Sequence, residues 1–334
     1  MNHACTLFVS LVGFEPRVER RLALLLDDCS ALGARWRVVS EGGADLWIVD
    51  GSKAQGLGRG LVEVGALRFR PAEMPHPVAF AEPLNESVST GHRFDPESMH
   101  SLNVLLTQLG RWLVPKLVQQ ALVGELIANG ASFTRSNVIE VQQQRRVIAF
   151  LDFEGDTAVA ADVAPADVRR AHWALRARGS SFAPPGFRVA STEQVLWQFA
   201  MRTDVAGLLP ARYERLPIHL RRAPSLPARE LADRQLRIVR ELAYGPRDFA
   251  QLVATTGATL AALRRDLHGL YLIGAITCDP GRSRTAREKR RAESVQSTDE
   301  LSFIGARPAD VSDLTAPCFV QMQRRGPAEE HTLD

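Results

Sequence analysis

Two short apolar runs flank one amphipathic stretch at the start of the chain, and that order narrows the fold more than any other feature. Residues 5–12 read CTLFVSLV and residues 45–49 read DLWIV. Between them, residues 16–29 (PRVERRLALLLDDC) set Val18, Leu22, Leu25 and Leu26 at helical spacing, with Pro16 suited to a first turn. Residues 35–40 (RWRVVS) alternate as a half-buried strand does, and 62–69 and 77–81 supply a fourth and a fifth strand. Strands alternating with a helix imply parallel pairing through crossovers, so residues 1–92 are expected to form a doubly wound α/β sheet. Ligands of such sheets bind beyond the carboxyl ends of the strands. Asp50 ends the third run there, followed by Gly51. The Gly13-Phe14-Glu15 turn and Glu82-Pro83 stand at the same edge.

This order and spacing resemble the receiver domain of bacterial response regulators. In that family an acidic pair follows strand one, the phosphorylated Asp ends strand three, and Lys-Pro follows strand five. Asp50 falls at the acceptor position, but Glu15 is a single acid where the family has a pair. Glu82 stands before Pro83 where the family has lysine. The pair and the acceptor would hold Mg²⁺ through oxygens, and the lysine would neutralise the phosphoryl group. The resemblance therefore implies a degenerate receiver that folds without taking phosphate. Asp50 then caps the strand–loop junction by accepting backbone N–H bonds.

Residues 93–222 read as an α+β middle segment. From 97 to 129, Leu102, Leu105, Leu106, Leu109, Leu113, Leu117, Leu122 and Leu126 recur at helical steps. Pro115 is expected to kink or split the helix, and Asn129-Gly130 to stop it. Short strands at 137–141, 146–152 and 157–161 form an antiparallel meander. A helix over 165–178, with Asp162 as its N-cap, would carry His172 and Trp173. Asp152, Glu154, Asp156 and Asp162 lack the spacing of a calcium loop and read as solvated turn carboxylates. A further helix covers 192–202.

Residues 223–280 pattern as a helix (230–243), a short helix (247–254), a turn at Gly257, a third helix (259–269) and a strand (270–277). With residues 263–273 (LRRDLHGLYLI), this order resembles the winged helix-turn-helix family, which implies either nucleic-acid binding or protein docking. The third helix opens Thr259-Leu260-Ala261-Ala262, which is poor for reading bases. Arg264 and Arg265 could still meet phosphates. Residues 281–334 read as a largely disordered tail. It opens with a basic run, GRSRTAREKRR, containing Arg282, Arg284, Arg287, Lys289, Arg290 and Arg291.

Against 41 basic residues stand 38 acidic ones, a net charge of +3, so any binding of polyanions is local. The four cysteines form no C-x-x-C pair and read as reduced thiols. No Gly-rich phosphate loop, H-E-x-x-H or G-x-S-x-G occurs, so neither enzyme activity nor a cofactor or metal is expected. Residues 1–12 lack a signal-peptide pattern, and no apolar run approaches the roughly 20 residues that span a bilayer. The expectation is a cytoplasmic, non-enzymatic signalling adaptor that docks a protein partner or forms a homodimer. The alternative is a DNA-binding transcription regulator, and the sequence leaves any small-molecule effector open.

Overall fold

Alternation along the first strand sets the layers of the N-terminal sheet. The computed structural model describes residues 5–29, 31–40, 43–88, 92–128, 138–176, 184–203, 209–227 and 230–284. Strand β1 (Thr6–Val12) turns Leu7 and Val9 to one apolar layer and Val12 to the other. It pairs with β2 (Arg35–Val38) and β3 (Leu46–Asp50), and β3 pairs with β7 (Val78–Ala81), which pairs with β8 (Arg93–Phe94). All these pairings are parallel, and the order across the five-stranded sheet is β2-β1-β3-β7-β8. Helix α1 (Pro16–Asp27) lays Leu22 and Leu26 against Leu7, Val9, Leu46 and Ile48. The α/β expectation therefore holds as a parallel sheet with helices.

One strand expectation is corrected. Residues 62–69 do not join the parallel sheet. They bend at Gly65-Ala66 into β5 (Leu61–Val64) and β6 (Leu67–Phe69), which form a three-stranded antiparallel sheet with β4 (Gln55–Gly58). The turn is too short for a parallel return. This small sheet covers the second face: Val62, Val64 and Phe69 pack with Trp47, Val49, Val78 and Phe80. The connection from β3 to β7 is thus made of strands where a helix is usual.

Helices α2 (Met99–Gln108) and α3 (Gly110–Ala128) bury the leucine stripe. The chain divides at Leu109, not at Pro115, which lies inside α3. Proline removes the donor that would reach the carbonyl four residues earlier. Here Arg188 donates to that carbonyl, Arg111 O, at 3.0 Å, so the helix continues. The expected stop at Asn129-Gly130 lies outside the described residues.

A second sheet follows, antiparallel throughout, in the order β12-β9-β10-β11-β13. Its strands are β9 (Val138–Gln143), β10 (Arg146–Asp152), β11 (Asp156–Ala160), β12 (His172–Arg176) and β13 (Phe187–Ser191). The helix expected over 165–178 is cut to α4 (Pro165–Arg169). His172 and Trp173 lie on edge strand β12, held by the ladder to β9. Asp162 is not the cap; the Asp167 carboxylate accepts the Ala164 N–H at 2.8 Å.

Helix α5 (Thr192–Arg202) leads through α6 (Arg212–Arg215) and β14 (His219–Leu220) to three helices: α7 (Asp233–Tyr244), α8 (Phe249–Thr256) and α9 (Leu260–Leu272). Thr259 caps α9 by accepting the Ala262 N–H at 3.3 Å. Leu263, Leu267 and Leu270 continue its buried stripe, so the expected strand over 270–277 shrinks to β15 (Ile276–Thr277), antiparallel to β14. One apolar cluster runs from Cys5 through α3 and α5 to Ile276, and the described residues belong to one compact unit.

Candidate functional site

The carboxyl edge of the parallel sheet gathers the residues singled out first. β3 delivers Asp50 there, and Gly51 lets the chain turn against the end of β7. A Cβ on Gly51 would lie 2.2 Å from Ala81 O and 2.9 Å from Pro83 O. Asp50 Oδ1 accepts the Ser52 N–H at 3.1 Å and the Ser52 hydroxyl at 2.7 Å. The Lys53 ammonium lies 3.7 Å from Asp50 Oδ2 and donates to Gly13 O, at the end of β1, at 2.8 Å. Glu15 and Glu82 are exposed at the same edge, and neither side chain bonds to Asp50 among the described residues. The edge therefore brings Asp50 to a lysine that the sequence reading did not single out, and leaves both glutamates apart. The signal was present in the segment D-G-S-K, a cation three residues beyond the carboxylate.

At the opposite, amino edge of β3 a second carboxylate is fully buried. Asp45 exchanges backbone bonds with β1: its N–H donates to Phe8 O at 2.7 Å, and its Oδ2 accepts the Phe8 N–H at 2.9 Å. Arg202, the last residue of α5, grips both its oxygens, with Nη2 to Oδ1 at 2.9 Å. Lys116 of α3 donates to Oδ1 at 2.7 Å. Burial alone would raise the Asp45 pKa. Arg202 and Lys116 outweigh it and hold the carboxyl below its ordinary value. Sequence reasoning missed this centre, which joins the first sheet to α3 and α5.

The candidate contact residues of the C-terminal helices are dispersed. Arg264 forms a forked pair with Glu214 of α6, at 2.7 and 3.1 Å, and its guanidinium holds the Glu214 carboxyl below its ordinary value. Arg265 is half-buried on α9. Arg282 pairs with Asp279 at 3.4 Å, and Arg284 is exposed. Arg287, Lys289, Arg290 and Arg291, and the tail from residue 285, lie outside the described residues. In the middle segment, Asp162 forks with Arg146 at 2.7 and 2.8 Å, and Asp152 caps its own turn through the Glu154 N–H. Among the described residues, no cluster of three or more His, Cys, Asp or Glu side chains could hold a metal ion, and Cys5, Cys29 and Cys278 are free thiols. No described helix is long and apolar enough to cross a membrane. Comparison with protein-family models, with curated proteins and with solved structures finds no match for the chain.

Proposed function

We propose that this chain is a non-enzymatic regulatory protein of a bacterial signalling system, a degenerate receiver that acts by docking a protein partner. The observation that carries the reading is the closure of the third-strand carboxylate. Asp50 is engaged by Ser52 and faced by Lys53, whose ammonium also holds Gly13 O. An ammonium next to this carboxylate opposes a second cation there, and Mg²⁺ would need several free oxygens. The order of the parallel strands supports the receiver-like reading: counted among themselves they run 2-1-3-4-5, as in flavodoxin-like folds. The outer turn of α9 supports docking, because it presents the exposed side chain of Leu260 and ties Arg264 to Glu214. The test is intact mass of the full chain after incubation with a small acyl phosphate and Mg²⁺, beside an active receiver as control. An unchanged mass is expected, and one added phosphoryl group on Asp50 would overturn the reading.

A second reading, a DNA-binding regulator, draws on a different observation. α7, α8, a left-handed Gly257 and α9 follow one another, and β14 before them pairs with β15 after them, much as in winged helix-turn-helix modules. Fluorescence anisotropy of the full chain with a random duplex separates the two. Binding that falls steeply with salt and weakens in R264A/R265A favours DNA. Absent binding, or binding that this variant leaves unchanged, favours docking for α9.

A further inference from the structure

A cavity of about 510 Å³ lies between the C-terminal helices and helices α3 and α5. That volume is in the range of small-molecule sites. Among the described residues its lining includes Arg212, Arg221 and Arg282 and no aspartate or glutamate. The Arg221 side chain makes no hydrogen bond or ion pair among the described residues, while its backbone N–H is spent on Ala275 O at 2.7 Å. Arg212 lies over the Tyr213 ring at 5.6 Å, and of the three only Arg282 meets a carboxylate among the described residues, that of exposed Asp279. Guanidinium charge that carboxylates leave largely uncompensated in a cavity lining attracts anions.

The opposite character comes from rings and aliphatic side chains. Tyr213 and Tyr271 stand with centroids 5.3 Å apart, and Leu196 and Ile127 complete an apolar wall. His268 of α9 also lines the cavity. It is 4 % exposed, and its Nε2 is buried without a hydrogen-bond partner. A buried ring nitrogen left unmatched is costly, and native structures seldom keep one without a use.

We propose that this cavity binds a small organic anion with a flat, apolar ring body. The acidic head meets Arg221, Arg212 and Arg282. The ring lies against Tyr213 and Tyr271. Desolvation pushes the His268 pKa down to about 4, so at neutral pH the imidazole adds no charge to the lining and the arginines alone select charge. The walls belong to α3 and α5 on one side and to α9 and β15 on the other, so an occupant ties the C-terminal helices to the middle of the molecule. Binding here requires neither the docking nor the DNA reading.

The test is titration of the full chain with 8-anilinonaphthalene-1-sulfonate, a ring-bearing organic anion, followed by its fluorescence. One saturable site is expected, and R221A/R282A should weaken it by about tenfold or more, the scale of lost charged hydrogen bonds. No saturable site on the folded chain would overturn the proposal. So would a site that the double variant, with an unchanged circular dichroism spectrum, binds as tightly. Should the double variant lose its fold, N-phenyl-1-naphthylamine on the unaltered chain decides, because it lacks only the sulfonate. Markedly weaker binding supports the anion site, and equal binding overturns it.

Discussion

Asp45 carries its charge in a place closed to solvent, so the fold depends on the two cations that reach it. Removing one partner of a buried ion pair leaves an uncompensated charge and typically costs about 3–5 kcal/mol. R202M should destabilise the chain by about 3 kcal/mol in urea unfolding, the lower end of that range because Lys116 remains. K116M should cost less, since that ammonium is partly solvated. A midpoint for R202M equal to the parent's would show that Arg202 is not needed. Because the folded Asp45 pKa is depressed, its stabilisation is fully present above the ordinary carboxylate value near 3.8 and is lost as pH falls below it. His268 has its own window. Its folded pKa is near 4 and its ordinary value 6.5, so only the unfolded chain binds the proton between them. Stability should therefore fall as pH drops from 6.5 to about 4, with His268 contributing about 3 kcal/mol at 1.4 kcal/mol per pH unit, and this slope should shrink in H268L, leaving the part due to His76 and His92, whose pKa values burial also lowers. Urea midpoints across that range check it, and a slope undiminished in H268L would assign it to other groups.

At the scale of elements, α5 and α9 pack tightly against each other. A Cβ on Gly269 would lie 2.7 and 2.8 Å from two Trp197 ring atoms and 2.9 Å from Met201 Cε. Met201 can swing away. Trp197 is buried, with its Nε1 donating to Glu230 O at 3.1 Å, so the ring is held. Overpacking costs about 1–3 kcal/mol, and alanine returns up to about 1 kcal/mol of helix propensity. G269A should thus lower the thermal midpoint, whereas a raised midpoint would mean that the ring yields freely. Elements set by local pattern were legible in the sequence: β1 and α1 fall within the runs that predict them, β3 is the expected third run moved on by one residue to end at Asp50, and Thr259 does cap α9. Long-range pairing was not legible. The segment HWALR continues a helical pattern and becomes a strand only because β9 offers a ladder. Arg188, 77 positions away, donates to the Arg111 carbonyl that Pro115 leaves without its helical donor. The same limit hid the Asp45 centre, whose partners lie 71 and 157 positions along the chain. Lys53 is the opposite case, close enough in sequence to Asp50 to have been noticed.

For the whole molecule, the question is whether the three sequence segments 1–92, 93–222 and 223–280 melt together. The apolar cluster passes without interruption from Leu7 and Leu46 through Leu113 and Leu122 to Trp197, Leu263 and Ile276. α5 is the hinge of this continuity: Trp197 packs on α9, Phe199 lies 3.8 Å from where a Cβ on Gly124 of α3 would stand, and Arg202 grips Asp45 before β3. Unfolding α7 to α9 alone would open the Trp197 face and leave Leu196 in water, each a loss of about 1.5–3 kcal/mol of apolar burial. Unfolding the first sheet alone would strand Arg202 without its carboxylate. Cooperative loss of all three segments is therefore expected. The tryptophans make this measurable, because Trp36, Trp47, Trp112, Trp173 and Trp197 all precede residue 223. In W197F, which removes the tryptophan packed on α9, the remaining fluorescence reports the first two segments, while loss of far-ultraviolet ellipticity also reports α7, α8 and α9. The two urea curves should superimpose with one midpoint. An ellipticity loss that precedes the fluorescence change would mean that the C-terminal helices open on their own, and that α5 holds them less firmly than its burial against Gly269 implies.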